Sequence, residues 1–183
     1  MRRDGGGLPP GTRVLGLDPG LKLTGYGLIE AGSSGPILLE AGVLRGQGRE
    51  LPDRLNSLHQ PLVELIGQYR PRVIVVEQLY AHYAHPRTAI LMAHARGVLF
   101  LAAGQHQVPV TSYMATRIKK VITGNGHAAK DQVQRTIQQE FELAELPEPP
   151  DVADALAAAL CHYYVHRPRI LRCTIRPPEP RAG

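Results

Sequence analysis

Cysteine is scarce in this chain of 183 residues: Cys161 and Cys173 are the two present, and they form no Cys-x-x-Cys pair. That excludes a disulfide framework and predicts a reduced, cytoplasmic protein. Long apolar runs are also missing. The longest candidate, residues 89–105, is interrupted by His94, Arg96 and Gly104, whereas crossing a bilayer takes roughly 18 apolar residues in a row. Residues 1–10 carry arginines but no apolar signal-peptide core, so a soluble protein is expected. Two catalytic signatures are absent as well. Without Gly-x-Ser-x-Gly there is no serine elbow, and without Gly-x-x-x-x-Gly-Lys-Ser/Thr the Gly124-Asn125-Gly126 turn is not a nucleotide-binding P-loop.

The length suits one domain with a core of its own. Lys and Arg number 21 against 16 Asp and Glu, a formal charge of +5, which suits a polyanionic partner. The Gly- and Pro-containing residues 1–12 read as a flexible arm and the Pro/Arg-rich residues 167–183 as a flexible tail, leaving 13–166 as the domain.

Within that domain, Val14, Leu15 and Leu17 form a compact apolar strand that ends in Asp18, and Pro19-Gly20 supplies the turn. Residues 24–30 and 36–45 read as two further strands around Gly32-Ser33-Ser34-Gly35, so three antiparallel strands open the fold. Leu51, Leu55, Leu58, Leu62, Leu65 and Ile66 recur at helical spacing. Pro61 inside this helix must kink it or occupy a place where the lost bond is dispensable. Val73-Ile74-Val75-Val76 is an unbroken β-branched run, as in a strand covered on both faces, and Glu77 follows it directly. Residues 86–106 read as a helix in which Ala89, Ala93 and Gly97 allow close backbone approach. Residues 108–111 read as a short strand. A basic segment with Arg117, Lys119 and Lys120 follows, then a helix from about Ala128 carrying Lys130, and an Ala-rich helix opening at Asp151. The order of elements is an α/β plan with a mixed sheet.

The chemistry lies in the acids. Asp18 and Glu77 each cap a buried strand, and Asp151 and Asp154 share one face of a helix's first turn. Each has an ordinary role as well: Asp before Pro-Gly initiates turns, and acids in a first helical turn complement the dipole. Four converging carboxylates would repel one another and raise their pKa values unless a cation sat among them. Hard oxygen donors suit Mg or Mn, and two such ions can activate a water and stabilise the leaving oxygen at a phosphodiester. Lys119 and Lys130 are the basic residues expected nearest the acids, to bind DNA and offset charge on the scissile phosphate. Tyr80 could stack on an exposed base. His82, His85, Cys161, His162 and His166 lie in separate segments without a recognised zinc spacing.

Taken together, Gly16-Leu17-Asp18-Pro19-Gly20, Thr24-Gly25-Tyr26-Gly27, Glu77-Gln78, Ala95-Arg96-Gly97 and Asp151-Val152-Ala153-Asp154-Ala155-Leu156 occur in an order that resembles the RuvC crossover junction endodeoxyribonucleases. The resemblance covers about residues 13–166. It implies a ribonuclease-H-like mixed five-stranded sheet flanked by helices, a homodimer, and paired symmetric cuts across a four-way (Holliday) DNA junction in recombination and repair. It further implies Mg2+ or Mn2+, two ions per site, held by the catalytic tetrad Asp18, Glu77, Asp151 and Asp154. Basic contacts fall on Lys119 and Lys130, with Arg117 and Lys120 beside them, and the aromatic near the junction centre falls on Tyr80. A branch-migration complex of RuvA and RuvB is the implied partner.

Other readings are an ATP-binding protein of the actin and sugar-kinase type, a nuclease for RNA/DNA hybrids, and a junction-binding protein that does not cut. The first needs two related halves, for which the chain has no room. The last is disfavoured because four acids beside a phosphate-binding surface would weaken binding.

Overall fold

The computed structural model describes residues 7–78 and 86–166. Its elements are β1 (Arg13–Asp18), β2 (Leu23–Ala31), β3 (Pro36–Arg45), α1 (Leu51–Tyr69), β4 (Val73–Glu77), α2 (Pro86–Gln105), β5 (Val110–Tyr113), α3 (Ala115–Thr123), α4 (Lys130–Glu140) and α5 (Pro150–Val165). The five strands form one sheet in the order β3-β2-β1-β4-β5. β1, β2 and β3 pair antiparallel, and β4 and β5 add in parallel to β1. Gly11 and Thr12 extend the pairing, bonding to Ala31 ahead of the Arg13 boundary expected from composition.

Helices cover both faces, so the inner strands are apolar on both sides. One face carries α5 with α3 and α4, over Val14, Ile29, Val73 and Val75. The other carries α1 and α2, over Leu15, Leu17, Leu28, Ile74 and Val76. The Ala-rich α5 is the central helix: it buries most of its length, including Leu156 and Leu160, each side chain contributing on the order of 2 kcal/mol. It sits against backbone, because a Cβ built on Gly16 would lie 2.0 Å from the Ala155 carbonyl oxygen. Glycine on β1 is what allows that approach.

Pro61 occupies an exposed position within α1, and the helix runs on to Tyr69. The bond it cannot make is one that water can replace at the surface. The fifth strand begins two residues later than its expected start at Val108. Val108 donates its N–H to the Ala103 carbonyl and finishes α2, and Pro109 has no N–H to offer a ladder. The shift brings Ser112 and Tyr113 beside Val76 and Glu77.

The small residues of α2 do not make the close approach expected of them within the chain. Ala93 and Gly97 are exposed, and a Cβ on Gly97 would meet nothing within 4 Å. Ala95, Leu99, Ala102 and Ala103 form the buried face instead. Among the described residues no helix is long and apolar enough to cross a membrane.

Candidate active site

Successive strand side chains point to opposite faces of a sheet. Val14 packs on the α5 side, and so do Val73 and Val75, whereas Leu15, Leu17, Ile74 and Val76 pack beneath α1 and α2. By the same alternation, Asp18 and Glu77 belong to the α5 face. Their strands run parallel with Leu17 opposite Val76, so both acids stand at the same end of neighbouring strands. α5 brings the other pair. Asp18 is paired with Gly25 across β1 and β2, and a Cβ on Gly25 would lie 2.1 Å from the Asp151 carbonyl oxygen. The first turn of α5 therefore rests on the strand pair that carries Asp18, and Asp151 and Asp154 follow from there. The turn beyond Asp18 is closed by buried Thr24, whose Oγ1 donates to the Gly20 carbonyl at 2.9 Å.

These four acids line one open cleft of about 640 Å³ together with Lys119 and Lys130. The cost of this convergence falls on the carboxyls. Burial, followed by the charges of Asp154, Glu77 and Asp151, pushes the pKa of Asp18 up to about 7, against a lowering by Lys130. Burial and Asp154 also raise Glu77, opposed by Lys119 and Lys130. Asp154 is raised chiefly by burial, although Lys130 Nζ lies 3.6 Å from its Oδ2. Lys119 comes from α3 and Lys130 opens α4. Between them Gly124 ends α3 at φ 78°, with its N–H on the Lys120 carbonyl. The Gly-Asn-Gly turn is thus what lets both lysines reach one cleft.

The basic segment divides. Lys119 faces the acids, whereas Arg117 and Lys120 line a separate hollow of about 830 Å³ with Gly124, Asn125 and His127. The Arg117 guanidinium carbon lies 5.1 Å from the centre of the Tyr113 ring. Tyr80, His82 and His85 lie outside the described residues. Cys161 and His162 are core side chains on α5, with His162 Nδ1 3.0 Å from the Tyr113 hydroxyl and 4.2 Å between the His162 and His166 ring centres. Two further cations line the acidic cleft and escaped sequence reasoning: Lys22, from the turn after Asp18, and Arg54, from the first turn of α1. Lys22 carried a signal in its closeness to Asp18. Arg54 had none, since nothing local separates it from an ordinary exposed arginine.

Known proteins share this sequence and fold over most of the described residues. Residues 14–162 match the sequence family described as crossover junction endodeoxyribonuclease RuvC. The chain is 47% identical to the protein of that name from Rhodopirellula baltica over 157 residues, covering 85% of this chain and 88% of the relative. It is 42% identical to that of Hydrogenovibrio crunogenus over 150 residues, 82% of this chain and 86% of the relative. Among solved structures it is similar to Thermus thermophilus RuvC in complex with Holliday junction substrate. There the identity is 30% and the TM-score 0.79, over 85% of this chain and 95% of that one. The mixed five-stranded sheet and its flanking helices are ribonuclease-H-like. A match spanning nearly all of the described fold, and carried by relatives at this identity, shows that the chain belongs to the RuvC family of crossover junction endodeoxyribonucleases.

Proposed function

We propose that Asp18, Glu77, Asp151 and Asp154 are the catalytic carboxylates with which this endonuclease resolves four-way DNA junctions by paired, metal-dependent phosphodiester hydrolysis. The observation that carries the reading is the convergence just described: acids from two strand ends and one helix start line a single cleft, flanked by lysines from α3 and α4.

Enzymes of this family are metal-dependent. The donor set fits Mg2+ or Mn2+, since all four donors are carboxylates and the half-buried Asp18, Glu77 and Asp154 are held above their usual pKa by desolvation and neighbouring negative charge. Among the described residues no three such groups already stand at metal-cage spacing. That separation suits like charges with lysine as their nearby cation. Divalent ions held there, two by the family resemblance, would activate a water and stabilise the leaving oxygen. The chain's own part is to hold carboxylate oxygens on both sides of the cleft, with Lys119 and Lys130 drawing the phosphate toward them.

Purified protein given a synthetic four-way junction and the matching linear duplex, each with Mg2+, Mn2+ or chelator, tests the proposal. Symmetric nicks in the junction with either ion, none in chelator and little on the duplex are expected. Equal cutting of both substrates sinks junction selectivity. Exchanging Lys119 or Lys130 for Ala should lower cleavage by about ten- to a hundredfold, with a smaller loss of affinity that shrinks as salt rises. Rates and affinities unchanged at every salt concentration remove both lysines from the substrate path.

The raised pKa of Asp18 has a consequence for stability. In the folded chain without bound cation its carboxyl keeps its proton up to about pH 7, against 3.8 for the ordinary group. Because this pKa is raised, the contribution is present below about pH 4 and lost as pH rises through 7. In chelator, Asp18→Asn should therefore gain on the parent between pH 4 and 8, by up to about 4 kcal/mol. Melting curves read the gap, on the order of 10 °C at pH 8. A gap that is flat with pH contradicts the burial of this carboxyl.

A two-fold enzyme offers two equivalent sites to a nearly two-fold substrate. The exposed side of α2, with Ile90 58% and Leu101 56% accessible beside Ala93 and Gly97, supports a homodimer contact there. The family resemblance supports DNA-binding roles for Arg117, Lys120 and Tyr80, a cytoplasmic place of action, and work alongside the RuvA and RuvB branch-migration complex.

A further inference from the structure

Arg96, in the middle of α2, is not among the residues that line the acidic cleft, yet its side chain reaches the strand that carries Glu77. Its Nη1 donates a short hydrogen bond to the main-chain carbonyl of Glu77, and its Nη2 donates to Ser112 Oγ at 2.9 Å. The ring centre of Phe100, one helical turn on, is 4.7 Å from the guanidinium carbon and sets the plane of the fork. Both acceptors are neutral. The ion pairs among the described residues are Arg13–Glu30 and Lys130–Asp154, so this half-buried cation is committed to two uncharged groups.

Its location explains the use. Pairing of β1 with β4 stops at Leu17 and Val76, one residue short of Glu77. Beyond that point sheet pairing holds Glu77 only on the β5 side, through its register with Tyr113 and the Gln78 N–H on the Tyr113 carbonyl at 2.8 Å. The guanidinium supplies the missing tether and ties it to β5 through Ser112. α2 does not need this fork for its seat, since Ala95, Leu99, Ala102 and Ala103 already bury its inner face.

We infer that Arg96 is a positioning residue for junction cleavage, aiming the Glu77 carboxylate into the cleft by fixing the main chain of Glu77 against β5. The inference rests on the reading of Glu77 as a catalytic carboxylate. A planar fork with donors at fixed angles can satisfy two acceptors on different strands at once, whereas an ammonium can reach one of them without fixing the other.

The test uses the full-length protein with Arg96→Met, which keeps an apolar stem near Phe100, together with Arg96→Lys, Ser112→Ala and Glu77→Gln. Single-turnover cleavage of a synthetic four-way junction is measured across a Mn2+ titration, with junction affinity in chelator and thermal melts alongside. Arg96→Met should lose about a hundredfold in maximal rate, as a misplacement on the order of 1 Å would cause. Its Mn2+ midpoint should rise several-fold while affinity stays within about twofold. Arg96→Lys should recover about tenfold of the lost rate, and Ser112→Ala should show a smaller loss in the same direction. Parental rate and metal midpoint in Arg96→Met overturn the inference. So does a rate loss that merely follows lost affinity or folded fraction. If Arg96→Met does not fold, parental kinetics in both folded Arg96→Lys and Ser112→Ala overturn it equally. Glu77→Gln separates the two levels: parental cleavage by that variant sinks the reading of Glu77, whereas its inactivity beside an unaffected Arg96→Met sinks the positioning role alone.

Discussion

Asp18→Asn should abolish junction cleavage, lowering the single-turnover rate by about a thousandfold or more, while junction affinity is unchanged or improved. Transition-state stabilisation by a bound divalent ion is worth several kcal/mol, and each 1.4 kcal/mol is about tenfold in rate. The amide keeps the size of the side chain but has no charge with which to hold such an ion. Asp18 is also the acid nearest to all the others in effect, since Asp154, Glu77 and Asp151 each raise its pKa. Removing its charge relieves repulsion toward the phosphates as well, hence the equal or tighter binding. Band-shift titrations in chelator and cleavage with Mg2+ measure the two quantities separately. A variant that cuts at the parental rate removes Asp18 from the site.

Gly16→Ala should be among the most damaging one-carbon additions at the described glycines. Its Cβ would stand 2.0 Å from the Ala155 carbonyl oxygen and 2.9 Å from the Ala159 nitrogen, and both are helix backbone that cannot rotate away. α5 must then lift off β1, at a cost of about 1–3 kcal/mol or more for overpacking. For a chain of this length that corresponds to a fall in melting temperature of several degrees to about 10 °C. Asp154 directly precedes Ala155, so lifting the helix also moves an acid of the cleft. Cleavage measured well below the new melting point should therefore remain reduced by about tenfold or more, beyond any loss of folded protein. A variant that melts within a degree of the parent and cleaves as fast would show that α5 is not seated on Gly16.

The two effects differ in kind. Asp18 carries charge that the fold tolerates at a cost, and Gly16 is the absent side chain that lets the helix bring Asp151 and Asp154 to it. Both residues fall within Gly16-Leu17-Asp18-Pro19-Gly20, so one short segment supplies the first carboxylate and the docking surface for the last two.

Much of this was legible from local pattern. Alternating or unbroken apolar runs marked β1 and β4, and an acid directly after each run had to stand at a strand end. Apolar spacing marked α1 through Pro61, because an exposed proline leaves the buried face of a helix intact. Local pattern was less able to place β5. Val108 looked as good a strand residue as Val110, and only the end of α2, which uses the Val108 N–H, decides between them.

Composition, periodicity and the ordered motifs by themselves determined an α/β chain with acids at two strand ends and one helix start, since these depend on contacts between neighbours in sequence. Which acids share a face, that Lys119 turns toward them while Arg117 and Lys120 turn away, that Ala93 and Gly97 stay exposed, and that Arg96 grips Glu77 were decided by the tertiary structure. The physical reason is that strand register, helix seating and side-chain reach bring together residues tens of positions apart, and no local preference encodes the distance between them.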